Sequence, residues 1–247
     1  MRRFKLTIAY DGSRYYGWQV QKGQVTVQQR VEEAVQKLFP TVKRVHSSSR
    51  TDTGVHALGM AVHVDLPKAE CMDPYKLQMA MNAFLPEDIR VVKAVCARND
   101  FHARFDAKGK QYRYTIWNAP AMNPLLLGKA WHVPSPMDVG RMKGAAKLFV
   151  GKKDFKSFAT TREYEMETTV RRVTCCEVRK KGVELIVTIE GEGFLYKMCR
   201  GIVGTLARVG HGKLTQKDIR SIFRKRDRRM GGMNAPACGL TLMKVKY

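Results

Sequence analysis

The chain has 247 residues and carries 45 Lys and Arg against 22 Asp and Glu, a net charge of +23, so it is long enough for one large domain or two smaller ones. Its hydrophobic share of 44% is ordinary for a globular protein, and it has no run of roughly 18 apolar residues of the kind that crosses a bilayer. Self-repulsion on this scale is tolerated most readily beside a polyanion, which puts a phosphate backbone first among partners and leaves a merely soluble basic protein as the plainer reading.

In chain order, MRRFKLTIAYDG turns polar too soon for a secretory leader, so the expected location is intracellular, in the cytoplasm. From Arg3 to Tyr10 the residues Phe4, Leu6, Ile8 and Tyr10 alternate onto one side, a half-buried strand stopped by the turn signal DGS. A helix is predicted from Thr26, with Gln29 completing a capping box and Val27, Val31, Val35 and Leu38 at helical spacing before Pro40. Strands follow at about 42 to 46 and 58 to 65. Asp73 and Pro74 open a second helix through about Phe84, and DIRVVKAVCA is a further strand.

KQYRYTIW begins the second half as a strand with Tyr112, Tyr114 and Ile116 on one face. A helix near 137 to 150, a hairpin of strands 170 to 180 and 183 to 190, helices near 195 to 209 and 215 to 224, and a closing strand GLTLMKV complete the chain. The last helix carries Thr215 and Asp218 as a capping box, with Leu214 against Ile219 as a staple. Each half mixes strands and helices, which predicts an α+β fold with a mainly antiparallel sheet in two domains, residues 1–105 and 106–247.

Several chemistries are disfavoured by missing motifs. There is no phosphate-binding loop and no dinucleotide fingerprint, and GEGFLYK is neither. The G-x-S-x-G of a serine hydrolase is absent. Six cysteines (Cys71, Cys96, Cys175, Cys176, Cys199, Cys238) contain no C-x-x-C, so reduced, mostly buried thiols are expected rather than zinc or disulfides. The six histidines show no ligand spacing, and His56 and His63 are expected to serve loop and strand locally. No strongly amphipathic basic helix points to a membrane surface.

What remains is chemistry that one carboxylate performs unaided. In HSSSRTDTGVHA, Asp52 follows Arg50 by two in a polar loop where Gly54 supplies a tight turn. Asp52 is either a turn aspartate accepting backbone N–H groups or a nucleophile or base held ionised by Arg50, and a metal ligand would lack companions. Tyr112, beside Lys108, Lys110 and Arg113, is either half-buried core or a surface on which a base stacks. Core packing is the default for Tyr15, Tyr16 and Trp18 in YYGW. Arg200 lies beside a helical stripe of Leu195, Met198, Ile202, Leu206 and Val209, as a snorkelling side chain or a phosphate or carboxylate partner. The run RSIFRKRDRR reads as a solvated basic face or a backbone-binding one.

Taken in order, YDGSRYYGWQVQ, SRTDTGVHALGMAVHVD, NAFLPEDI, DFHARFDAKGKQYRYTIWN, DFKSF and GFLYKMCRGIVGTLARVGHGKL resemble the TruA family of tRNA pseudouridine synthases. The resemblance implies Asp52 as the catalytic nucleophile, Arg50 paired with it and holding the flipped site open, Tyr112 stacked on the target base and Arg200 near the aspartate. It implies the tRNA anticodon stem-loop as substrate, at uridines 38, 39 and 40, no cofactor or metal, a homodimer gripping one tRNA, and an active-site cleft between the domains. The chain departs from the family pattern at Ser47, Ser48 and Ser49, where G-x-G is common, at Met60 for Gln, and at Gly201 for Asn. These bear on substrate choice and leave a paralogue acting on another RNA as an alternative. A non-catalytic RNA-binding or tRNA-chaperone protein would explain charge and aromatics but not the Arg50 and Asp52 loop, and an RNA methyltransferase lacks its glycine-rich cofactor loop.

Overall fold

A computed structural model describes residues 1–67, 72–160 and 168–247 of the chain. Its elements in chain order are β1 (Arg2–Tyr10), α1 (Val27–Leu38), β2 (His46–Ser47), β3 (His56–Leu66), α2 (Pro74–Phe84), β4 (Ile89–Cys96), β5 (Gly109–Trp117), β6 (Trp131–His132), α3 (Val139–Ala146), β7 (Gly151–Asp154), β8 (Val170–Lys181), β9 (Glu184–Gly191), α4 (Met198–Gly210), α5 (Gln216–Lys225) and β10 (Leu240–Lys246). The chain divides into two compact units, Met1–Lys108 with Thr241–Tyr247, and Gly109–Leu240. Pairing is mainly antiparallel, so the fold is α+β as its composition of elements predicts.

In the first unit β1 lies between β4 and β3, with Phe4, Leu6, Ile8 and Tyr10 buried on one face as the alternation requires. β3 is buried along nearly its whole length and is paired on both edges, by β1 on one and by β2 and β10 on the other. The β10 pairing is parallel, Thr241 opposite His56 and Leu242 opposite Ala57. Gly59 permits this approach, since a Cβ there would lie 2.4 Å from Met243 O. α1 starts where Thr26 Oγ1 accepts from Gln29 N–H, and α2 where Asp73 accepts from Tyr75 and Lys76 N–H. Of the expected 42 to 46 strand only His46, with Ser47 just beyond it, pairs with β3: Val42 N–H instead closes a turn onto Phe39 O, and the buried Val42 and Val45 are three apart, off a strand's period of two.

In the second unit β5 pairs with β9, β9 with β8 and β8 with β7, all antiparallel, while β6 adds to β5 in parallel. The β8–β9 hairpin turns at Gly182, whose φ of 58° suits glycine. α4 is buried almost throughout and begins three residues later than the apolar spacing suggests, because Lys197 adopts a left-handed φ of 58° that no helix can include. α5 has the predicted capping box of Thr215 and Asp218. Phe149, Phe155, Phe158 and Phe223 form an aromatic cluster with centroids 4.6–6.2 Å apart, tying α5 to residues 149–158 around β7.

Among the described residues no helix is long and apolar enough to cross a membrane. No disulfide joins the described cysteines; Cys176 and Cys199 are buried, but Cys96 is exposed and Cys175 and Cys238 are half-buried, so burial of the thiols is less general than expected. Cys71 lies outside the described residues.

Candidate active site

The loop that carries Asp52 leaves β2 and enters β3, and its shape is set by an earlier stretch of the same unit, residues 10–18. Ser48 N–H still bonds to Ala61 O, extending the β2–β3 ladder by one residue before the chain departs. Thr51 is then fixed twice: its carbonyl accepts from Trp18 N–H at 3.1 Å, and its Oγ1 shares a hydrogen bond with Tyr10 Oη at 2.8 Å. Beyond Asp52, Gly54 takes a φ of 76° and its N–H reaches Tyr15 O, while Val55 N–H closes the turn onto Asp52 O at 3.1 Å.

Two glycines let these segments touch. A Cβ on Gly17, itself at a φ of 83°, would lie 2.5 Å from Thr51 O, and one on Gly12 would lie 2.1 Å from Val55 O. Gly12 N–H donates to His56 Nδ1 at 3.0 Å, which places the first residue of β3 against the turn after β1. Tyr15 and Trp18 are buried, as their core reading requires, whereas Tyr16 is exposed. Asp52 is half-buried at the top of this arrangement, and Arg50 is exposed. These supports are invisible in the motif itself, although the glycines of YDGS and YYGW are their trace in the sequence.

The other two sequence-predicted site residues belong to the second unit. Tyr112 sits on β5 opposite Ile189, 8% exposed, with the edge of Phe194 meeting its ring at 5.3 Å and 88°. Tyr114, two residues on and on the same face, donates from its hydroxyl to Pro236 O at 2.7 Å, and burial pushes its phenol well above the usual range. Arg200 lies in the first turn of α4, where its Nε donates to Ala235 O at 2.7 Å and its own carbonyl accepts from Ala235 N–H. The stretch after α5 thus grips Arg200 by both side chain and backbone, and the left-handed Lys197 fixes the angle at which α4 begins.

The basic run 220–229, which covers the end of α5 and the residues after it, is not simply a solvated face. Arg228 donates to Gly232 O and to Asn234 Oδ1, and Asn234 passes the network to Thr160 Oγ1. Arg220, Arg224, Lys225, Arg226 and Arg229 remain exposed.

Sequence spacing also hides a histidine cluster. β2–β3 register sets His46 opposite His63, their rings stacked at 4.8 Å and 15°, and His102 meets His63 at 4.7 Å. Ring nitrogens of the three lie within 4.8 Å of one another, a grouping able to suggest a metal centre. The hydrogen bonds argue otherwise: His63 Nδ1 accepts from Ala103 N–H, and His102 Nδ1 accepts from Arg104 and Phe105 N–H. Neutral rings held this way carry their proton on Nε2 and present donors rather than lone pairs.

Residues 6–106 and 145–247 match the family model described as tRNA pseudouridine synthase. The chain belongs to the tRNA pseudouridine synthase family. Proteins named tRNA pseudouridine synthase A resemble it along their whole length: that of Bacillus licheniformis is 43% identical over 99% of this chain and 99% of its own. That of Geotalea uraniireducens is 42% identical over 100% of each, and that of Methylacidiphilum infernorum 40% identical over 99% of this chain and 95% of its own.

Within this pseudouridine synthase, Ser48 and Met60, two of the positions singled out in the sequence, face each other. Ser48 Oγ lies 3.5 Å from Met60 Sδ, a buried contact between the start of the Asp52 loop and the strand that follows it. Gly201 is explained separately: a Cβ there would stand 2.1 Å from Phe158 O, so α4 rests directly on the backbone of the DFKSF segment.

Proposed function

We propose that this chain isomerises uridine to pseudouridine in the anticodon stem-loop of tRNA, at positions 38, 39 and 40, with Asp52 as the nucleophile. The observation that carries the reading is the match over 99–100% of the chain to proteins named tRNA pseudouridine synthase A. The geometry of the Asp52 loop is consistent with it: a half-buried carboxylate on a turn whose neighbours are fixed by backbone hydrogen bonds is a preorganised group.

In the reaction the N1–C1′ bond breaks and a C5–C1′ bond forms; the hydrogen at C5 leaves as a proton and N1 gains one, so the substrate supplies every heavy atom. Asp52 attacks C1′ of the ribose or C6 of the uracil, and the detached base turns before it rejoins through carbon. The target leaves its stack to reach the loop, at a cost of a few kcal/mol that stacking on Tyr112 and a wedge from Arg50 would offset. Arg200 is assigned a catalytic role in the same reaction. On this reading the first unit supplies the nucleophile and the second the stacking tyrosine and much of the basic surface. A homodimer gripping one tRNA and a cytoplasmic setting belong to the same proposal.

The test is tritium release from tRNA labelled at uracil C5, comparing the wild type with Asp52→Asn. Release by the wild type alone, with RNA affinity of the variant within about tenfold, is the expected result. Turnover by the variant would refute the nucleophile, and no release from any tRNA by the wild type would favour a non-catalytic RNA-binding protein or another RNA substrate.

A further inference from the structure

A tyrosine in a core packs as well with phenylalanine's shape, so a buried hydroxyl that is retained marks a place where the oxygen matters. Tyr10 is such a residue. It is 4% exposed, its ring lies 6.0 Å from that of Trp18, and burial pushes its phenol well above the usual range, so the group stays protonated. The β1–β3 register slips between Ile8 and Tyr10, an irregularity that re-aims the side chain at the end of the strand. Its oxygen meets Thr51 Oγ1, itself on an 8% exposed residue directly before Asp52.

We infer that Tyr10 and Thr51 are a positioning pair that sets the direction of the Asp52 carboxylate, acting through the loop backbone and touching no substrate. The inference rests on the reading of Asp52 as nucleophile. Thr51 is held at its carbonyl by Trp18 N–H and at its hydroxyl by Tyr10, which leaves it little rotation about its own backbone. The far side of Asp52 is held independently, by Gly54 N–H on Tyr15 O and Val55 N–H on Asp52 O. Removing the hydroxyl bond loosens one side only, leaving Thr51 the single Trp18 N–H contact at its carbonyl, so the loop keeps its turn while the carboxylate gains angular freedom. Nucleophilic attack tolerates little of that, since a misplacement of about 1 Å costs about 100-fold in rate.

The experiment compares Tyr10→Phe, Thr51→Val and Thr51→Ser in single-turnover tritium release from tRNA, with tRNA affinity and thermal midpoint measured alongside. Tyr10→Phe and Thr51→Val are expected to slow the chemical step about 10- to 100-fold with tRNA affinity within about threefold, and their combination to be no slower than either alone. Thr51→Ser, which restores the oxygen, is expected to recover the rate to within about fivefold. A lowered midpoint with an unchanged rate would show a merely structural bond and overturn the inference, as would a loss confined to affinity. If Tyr10→Phe fails to fold, the Thr51→Val and Thr51→Ser contrast decides alone. Turnover by Asp52→Asn would separately refute the nucleophile on which the pair is said to act.

Discussion

Tyr112 is the residue whose proposed role and observed setting pull hardest against each other. Stacking on a base asks for an open ring, yet the side chain is 8% exposed and meets the edge of Phe194. If stacking is its work, Tyr112→Phe keeps the ring and loses little rate, while Tyr112→Ala removes about 1–3 kcal/mol of base contact and slows turnover correspondingly. Equal losses in steady-state kinetics would shift the role to the hydroxyl, as a general base. Asp52 and Arg50 were marked by their residue types, because a charged pair in a polar loop is a local pattern. Tyr10, Gly12 and Gly17 carried no comparable mark: DGS reads as a turn and YYGW as core, which holds for Tyr15 and Trp18 but not for the exposed Tyr16, and neither reading says anything of the loop some 40 residues on that they support. Likewise the histidines at 46, 63 and 102 become neighbours only through strand register and the segment after β4.

At the scale of the element, α4 sets a contest of known sign. Glycine inside a helix costs about 1 kcal/mol relative to alanine, so propensity alone would make Gly201→Ala stabilising. The Cβ would stand 2.1 Å from Phe158 O, a backbone atom, and overpacking of that kind costs typically 1–3 kcal/mol. The expected outcome is a thermal midpoint lowered by several degrees, with a raised one showing that the helix can lift away. An asparagine, the residue the family pattern suggests there, would require α4 to stand farther from that segment.

α5 ends in a comparable device. Arg226 occupies the left-handed position that glycine usually takes, at a φ of 53°, and its guanidinium meets Asp154 at 2.6 Å. Burial would raise the Asp154 carboxyl, but Thr169 Oγ1, Lys156 N–H and Arg226 together hold it below the usual carboxylate range. Its stabilising contribution is therefore present above the ordinary carboxylate pKa and lost as pH falls through the lowered one. Asp154→Asn is expected to be less stable than wild type at pH 6, with the gap closing toward pH 3 in denaturant midpoints; a constant gap would deny the linkage. Elements like α1, α2, α5 and the β8–β9 hairpin were legible because caps, turns and apolar periods sit within a few residues. β2 and the start of α4 were not, since one turns on a three-residue spacing of valines and the other on a single left-handed lysine.

Across the whole molecule, charge is the property most open to test. A complex in which this chain of net charge +23 neutralises six to ten phosphates should lose about 10³- to 10⁵-fold in tRNA affinity between 50 and 200 mM salt, read by filter binding. A flat dependence would mean that the lysines and arginines serve something other than an RNA backbone. Topology has its own consequence. The strand that receives the Asp52 loop gains its parallel neighbour only when Thr241 and Leu242 arrive opposite His56 and Ala57, with the entire second unit lying between them in the chain. At about 5–20 residues per second on a ribosome, the His56–Ala57 end of β3 waits roughly ten to forty seconds with one edge unpaired, while β2 already covers that edge at Val62 and His63. For that interval the nascent protein displays an open strand beside its most chemically committed loop, so a stalled ribosome would leave behind not an inactive enzyme but a template for misassembly.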